Sequence, residues 1–359
     1  MSLPILQSGR IILRRSLDTI LFLVDILAMK FLRKRNSNAH SHLLSTFYLF
    51  GGFVPLVASK WLGSPKIDFS EEGILSKFSE KDLKFASKHL KDEGFIVLQN
   101  VLSAELCSRI LKESEIIPGK TRIMDGGKRV DEQIYFNREA PAGIRFDYES
   151  SDLISSPVLQ QLIFDESILR FAQNYLGSAP ILDLVAMWWH TTFSTVPDKE
   201  AAQWFHFDMD RLKWIKFFFY ITDVDTNTGP HTFIARSHRK LGIPFSLRKK
   251  GYVRLTDQEV ASSFLPNQYK EFTGKGGTLI VEDTRGLHKG KHCVSGDRLL
   301  FQLEFTASDF GIPLPEFVLT PPVDRNSIAA EKIGKYQHVY QAIRFEGTDY
   351  PPKDGEATP

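Results

Sequence analysis

The stretch QWFHFDMDRLKWIKFFFYIT, residues 203–222, decides how this chain is read. Its second half is dense in Trp, Ile, Phe and Tyr, the residues that fit a pleated, half-buried surface, so 213–222 reads as a strand. Its first half carries His206 and Asp208 two positions apart. On a strand, residues i and i+2 share a face. Read that way, 204–208 is a strand that projects an imidazole and a carboxylate side by side.

Working outward, 181–190, 231–235, 277–282 and 298–306 have the same texture, and turn residues such as 225–230 separate them. The chain before residue 180 reads differently. Ser79 can cap a helix that begins near Glu80, with Asp82 reciprocating, and Gly94 stops it. Leu83, Ala86 and Leu90 fall on one face of that helix. A short buried strand is expected at 95–98. Further helices are expected after Ser103, over 156–164, and over 166–176 up to Gly177. Helices first and strands after predict a mostly β domain with helices packed outside the sheet.

The bulk numbers narrow the class. With 359 residues, one catalytic domain plus an extension is expected. The 12% aromatic content, mostly 28 Phe, predicts a ring-rich core or pocket. A net charge of +2 lacks the basic footprint of a nucleic-acid binder. The two cysteines, Cys107 and Cys293, cannot make a disulfide framework and read as buried thiols of a reducing compartment, so a cytoplasmic location is expected.

Residues 1–65 stand apart from the domain at 66–320, and 321–359 form a C-terminal segment whose polar end, 347–359, is expected to fray. Two apolar stretches, 17–32 and 43–62, are flanked by Arg10, Arg14, Arg15, Arg33, Lys34 and Arg35. The first is short for a span and carries Asp18 and Asp25; the second is broken by Gly51, Gly52, Pro55 and Lys60. Two readings stay open: helices packed on the catalytic domain, or a peripheral membrane anchor with basic flanks.

A second stretch, GTLIVEDTRGLHKGKHCVSGDRLLFQLEFT at 277–306, supplies what the first one lacks. His206 and Asp208 are two of the three ligands in a two-His, one-carboxylate facial triad of the kind that holds non-haem iron(II). His288 can complete it. Arg298 opens an otherwise apolar strand ten residues later, and its planar fork suits a dicarboxylate such as 2-oxoglutarate.

With these residues in place, the chain resembles the phytanoyl-CoA dioxygenase family. The resemblance is carried by His206-Phe-Asp208, the element NTGPHTFIARSH at 227–238, the pair His288 and Arg298, and GFIVL from Gly94. It covers roughly residues 80–310. It implies a double-stranded β-helix, or jelly-roll, of the cupin type. It also implies a dioxygenase that uses iron(II), 2-oxoglutarate and dioxygen and releases succinate and carbon dioxide. By match to the family motif, His206, Asp208 and His288 are the catalytic metal ligands and Arg298 holds the co-substrate. Related halogenases lack the carboxylate, so Asp208 implies hydroxylation. The chain departs from the family where Ala235-Arg236 replaces Pro-Gly, and where Gly290 stands two after the distal His in place of a polar residue.

Of the remaining candidates, His190, Trp188 and Trp204 are read as lining the substrate pocket, with Trp189 and Phe205 as candidates for the same wall. Asp210 is an alternative ligand. His238 reads as a loop anchor, His231 and His292 as solvated or hydrogen-bonded, and Arg248, Lys249, Lys250 and Arg254 as a solvated basic loop. The expected partner is a small molecule, acyl or lipid-like, with peripheral membrane contact through residues 1–65. A metal-binding jelly roll without turnover and a membrane-tethered scaffold are the competing readings.

Overall fold

The computed structural model describes residues 3–122, 132–251, 253–320 and 327–346; the tail at 347–359 lies outside the described residues. Three helices come first: α1 (Leu3–Leu32), α2 (Ala39–Phe50) and α3 (Phe53–Leu62). Next are α4 (Glu80–Glu93), β1 (Phe95–Leu98), α5 (Ala104–Ile116), β2 (Gly119–Arg122) and β3 (Arg145–Tyr148). The helices α6 (Ser150–Ser155), α7 (Pro157–Ile163) and α8 (Glu166–Leu176) lead into β4 (Ile181–His190) and β5 (Trp214–Tyr220). Then come β6 (His231–Ile234), α9 (Phe245–Arg248), α10 (Asp257–Ala261), β7 (Tyr269–Phe272), β8 (Leu279–Glu282) and β9 (His288–Gly290). The long β10 (Arg298–Thr306), β11 (Phe317–Leu319), α11 (Ile328–Lys335) and β12 (Ile343–Phe345) complete the order.

Seven strands form an antiparallel sheet in the order β1-β8-β5-β10-β4-β3-β2, and a second antiparallel sheet is β7-β6-β9. The two sheets pack face to face through Phe218, Tyr220, Ile280 and Leu300 on one side and Phe233 and Phe272 on the other. This is a jelly roll with helices on the outer face of its large sheet.

Period-two alternation assigns each strand residue to a layer. Ile215, Phe217 and Phe219 of β5, and Leu299, Phe301, Leu303 and Phe305 of β10, join the helix-covered core with Leu159, Ile168 and Phe171. Full burial of such a side chain contributes about 1.5–3 kcal/mol, so this layer carries much of the stability. The alternate residues, Lys216 and Phe218 of β5 and Arg298 and Gln302 of β10, face the space between the sheets. In register, Arg298 lies opposite His190, Gln302 opposite Phe218, and Glu304 opposite Lys216. One face of two adjacent strands builds the core and the other builds the site.

Local sequence fixes the ends of several elements. Ser79 Oγ accepts from the Asp82 amide, Asp82 reaches back to the Ser79 amide, and Gly94 ends α4 in the left-handed region. The apolar stretch at 43–62 is two helices, because Gly51 turns the chain at φ +63 and a side chain there would collide with the Lys240 carbonyl. β1 is half-buried at the edge of the large sheet, where the sequence predicted a buried strand. The expected strand at 204–208 is also absent. Only Phe205 and His206 pair, each in a single bridge, with Leu255 and His288, and the Asp208 amide donates to the Thr284 carbonyl.

The first three helices pack on the jelly roll. Phe22 and Ile26 of α1 and Leu43 and Phe47 of α2 share a core with Phe205, Phe207 and Trp214. Arg248, read as solvated, is buried and donates to the Phe47 and Ile243 carbonyls, which ties α9 to α2. Among the described residues, no helix is long and apolar enough to cross a membrane.

Candidate metal centre

His206, Asp208 and His288 each offer one ligand atom, and these atoms lie within 4.8 Å of one another. All three residues are buried. The bridge between the two histidine backbones brings them together: the His206 amide donates to the His288 carbonyl at 3.0 Å, and the His288 amide returns the bond at 2.8 Å. Each ring is then fixed by its own chain. His206 Nδ1 lies 2.9 Å from the Trp204 carbonyl, and His288 Nδ1 lies 3.0 Å from the Gly286 carbonyl. A carbonyl can only accept, so both rings carry the proton on Nδ1 and turn an Nε2 lone pair toward Asp208. Burial holds both imidazoles neutral: His206, beside His288, well below the ordinary histidine value, and His288 also below it. Neutral imidazole is the ligating form.

Lys216, which the sequence reading passed over, completes the cluster. Its Nζ donates to Asp208 Oδ2 at 2.7 Å and sits 3.2 Å from Glu304 Oε2. Burial opposes the ammonium, but the two carboxylates outweigh it and raise the Lys216 pKa above the ordinary lysine value. Burial likewise opposes the Asp208 anion, and the Lys216 ammonium reverses the effect by charge and hydrogen bond, so Asp208 stays ionised. Glu304 is pushed up to about 8, chiefly by burial. The legible signal was a lysine at an inward position of an otherwise apolar strand.

A cavity of about 330 Å³ surrounds the cluster, within the range of small-molecule sites. Arg298 lines it at 1% exposure. Its guanidinium donates to the Gly229 carbonyl and to His190 Nδ1, while Nε has no partner. Among the described residues, no carboxylate offsets its charge, and burial lowers its pKa. A buried guanidinium on neutral acceptors is incomplete, and an anion would complete it. His190 accepts from Arg298 and keeps its own proton on Nε2 toward the Ala201 carbonyl at 3.2 Å. Burial, then Arg298, hold it neutral.

The matched element at 227–238 has a mechanical part in this. Gly229 sits at φ +76, and a side chain there would collide with the Lys291 carbonyl; its own carbonyl meets Arg298. Beside it, Cys293 donates to the Thr228 carbonyl at 3.3 Å, and burial pushes its thiol up to about 11. Ser237 Oγ donates to the Ile234 carbonyl and accepts from the Leu287 amide, next to His288. His238 Nε2 reaches the Lys91 carbonyl at 3.1 Å, which anchors the loop on α4. Arg236 adopts φ +70, the region that glycine favours, and is held there by its ion pair with Glu93 at 2.6 Å. Gly290 lies close against Arg298: a Cβ there would sit 3.0 Å from Nη2, so a larger residue would press on the guanidinium.

Trp188 lines the cavity, with Arg145 4.5 Å over its ring. Trp189 and Phe205 belong to the cores on other faces, and Trp204 is half-buried and contributes its carbonyl to His206. Asp210 is outside the ligand cluster. His231 and His292 are both buried. His231 pairs with Glu282 at 2.9 Å and stacks 5.6 Å from the His288 ring. Burial sets Glu282 at about 8 and His231 at about 3, so the pair is neutral near pH 7. His292 Nδ1 lies 3.3 Å from Gln203 Oε1.

No protein-family model matches the chain, and no curated protein does. Among solved structures it is similar to HygX from Streptomyces hygroscopicus with nickel and 2-oxoglutarate bound, at 16% identity over 67% of this chain and 91% of that one, TM-score 0.47. It is also similar to EctD from S. alaskensis with bound Fe, at 18% identity over 70% and 88%, TM-score 0.43. A third is the epimerase SnoN in complex with Fe3+, alpha ketoglutarate and nogalamycin RO, at 14% identity over 64% and 84%, TM-score 0.44. None of the three reaches a TM-score of 0.5.

Proposed function

We propose that this protein is an iron(II)- and 2-oxoglutarate-dependent dioxygenase that hydroxylates an unactivated C–H bond of a small molecule. One observation carries the proposal: two neutral imidazoles and an ionised carboxylate converge in a buried cavity that also holds a guanidinium without a carboxylate partner. Two histidines and one carboxylate are the donor set of non-haem iron(II) sites that keep open positions. A dicarboxylate is the anion that can reach such a metal with one end and Arg298 with the other.

When bound, iron(II) and the co-substrate supply the dioxygen chemistry. One oxygen atom enters the substrate C–H bond as hydroxyl, the other enters succinate, and carbon dioxide leaves. The chain's own residues do the rest. The Trp204 and Gly286 carbonyls set the two imidazole tautomers. Lys216 fixes the Asp208 carboxylate, and His231 stacks against His288. His190 and the Gly229 carbonyl aim Arg298. Leu184, Ala186, Trp188 and Phe218 give one wall of the cavity an apolar character, and the ion pairs Lys120–Glu149 at 3.0 Å and Arg145–Asp147 at 2.6 Å give the other a polar one. That combination suits a partly apolar substrate with a polar end, such as an acyl compound.

The test is anaerobic titration of the iron(II)-loaded protein with 2-oxoglutarate, followed by calorimetry and by the visible charge-transfer band of the chelate. Saturable binding that requires both the metal and Arg298 is expected. Binding that is absent, or the same without metal, overturns the proposal. Succinate formed with a hydroxylated product then separates turnover from metal binding alone.

A further inference from the structure

The helix α1 is built inside out for a water-facing position. Its acids turn inward: Asp25, 5% exposed, takes hydrogen bonds from His42 at 2.7 Å and Asn36 at 2.8 Å, and Asp18 accepts from Ser45 at 2.6 Å. Its apolar side chains turn outward: Leu17 is 56% exposed, Ile20 60%, Val24 53% and Phe31 70%, with Leu27 on the same side. Scattered exposed apolar residues are ordinary, but a continuous apolar face with its polar partners buried is not. The face extends onto α3. Phe31 and Trp61 meet ring to ring at 5.7 Å, Lys30 donates to the Trp61 carbonyl at 2.7 Å, and Phe53 and Val57 continue the exposed row.

Charge identifies what covers this face. Residues 1–62 hold eight Lys and Arg against two acids, Asp18 and Asp25, and both acids are turned inward. Arg14, Lys30, Arg33, Lys34 and Lys60 are exposed around the apolar strip. Beyond α3 lies a cleft of about 710 Å³ between Leu56 and the loop at 238–242. Lys91, Lys213, Arg239, Lys240 and Arg285 line it, with Asp92 the one acid in its wall. Arg285 is 4% exposed, pairs with Asp283, and leaves Nη1 without a hydrogen-bond partner. Lys240 sits 4.5 Å over the ring of Phe53, which joins the cleft to the apolar row. Apolar area rimmed by cations, next to a cationic cleft, is complementary to acyl chains beneath anionic headgroups.

We infer that α1 and α3 lie in the plane of an anionic phospholipid bilayer, with their outward face at the acyl boundary and a headgroup phosphate in the cleft beside Lys240 and Arg285. The inference stands on these two features and is independent of the iron site.

The full-length protein is sedimented with phosphatidylcholine vesicles, with and without phosphatidylserine, at low and high salt. Binding to the anionic vesicles is expected, weaker by at least about tenfold on phosphatidylcholine alone and weakened by salt. The triple variant Ile20→Asn, Val24→Asn, Leu27→Asn changes only exposed positions. It should keep the wild-type circular dichroism and melting curve and lose vesicle binding. Lys240→Glu should keep residual binding and lose the preference for phosphatidylserine. A wild-type chain that ignores both vesicles overturns the inference, as does a triple variant that binds like wild type. A stable dimer by light scattering that the triple variant dissociates, without vesicle binding, gives the face to a second copy and also overturns it.

Discussion

Arg211 and Arg298 are both buried to within 1% exposure, and they are buried in opposite ways. Arg211 is closed on itself: Nε and Nη2 grip both oxygens of Asp183 at 2.7 and 2.6 Å, and its remaining donors meet the Ile312 and Pro313 carbonyls. Arg298 has only neutral acceptors and a cavity in front of it. The same side chain is structural where the fold supplies its counter-ion and available for a ligand where the fold withholds it. Burial alone does not distinguish the two; the charge inventory does.

The contrast breaks most easily at Arg211. Arg211→Met strands the buried Asp183 carboxylate and should lower the unfolding free energy by about 3–5 kcal/mol in urea titration. Arg298→Met removes a buried charge with no carboxylate to strand, so its unfolding free energy should stay within about 1 kcal/mol of wild type. Its deficit belongs to the ligand: about 1.5–3 kcal/mol of charge-assisted hydrogen bonding, or at least about tenfold in 2-oxoglutarate affinity by calorimetry. Equal destabilisation by the two variants would erase the distinction. A finer probe is Gly290→Ala, whose methyl would press on Arg298 Nη2 at 3.0 Å and on the His190 ring at 3.3 Å. A shift near the low end of overpacking, about 1 kcal/mol or roughly fivefold in 2-oxoglutarate affinity, is expected, with the melting temperature little changed.

Lys213 gives the most local test. It too is a cation on neutral acceptors, donating to the Tyr175 and Leu176 carbonyls at the end of α8. Burial, with Arg285 nearby, lowers it to about 7. The native chain therefore loses this proton above about pH 7, while the unfolded chain keeps it to about 10.4. The unfolded state binds more protons across that window, so this group's contribution to stability rises with pH there, and its penalty is fully present below about 7. Lys213→Met should flatten that part of the stability profile in urea unfolding, and an unchanged slope would contradict the assignment.

Much of the scaffold was legible because its signals are local. The Ser79–Asp82 capping box, the left-handed Gly94 and Gly177, and the long apolar runs of β4 and β10 each announce themselves within a few residues. The short strands do not: GKTR in β2 and HKG in β9 have no alternation to read, and they form because longer neighbours offer them partners. The His206 segment reads as a strand from its rings, yet the chain leaves strand pairing after two single bridges to place the Asp208 amide on the Thr284 carbonyl. His206, Asp208, His288 and Arg298 could be put forward from sequence because the metal ligation and dicarboxylate binding proposed for them demand those residue types, and the fold brings the first three together. Lys216 showed only as a charge on an apolar strand, and its part, like those of Glu304 and the His231–Glu282 pair, follows from which strands lie opposite one another.

The turn that presents the Gly229 carbonyl to Arg298 rests on Cys293, whose thiol stays protonated far above neutral pH. The thiolate is the nucleophile that attacks peroxide, and a sulfur held in its neutral form presents almost none. The proposed dioxygen centre would thus keep, at the Arg298 end of its cavity, the one kind of cysteine that escaping oxidants leave alone. Sulfenylation should reach this turn only after the sheet around it has opened.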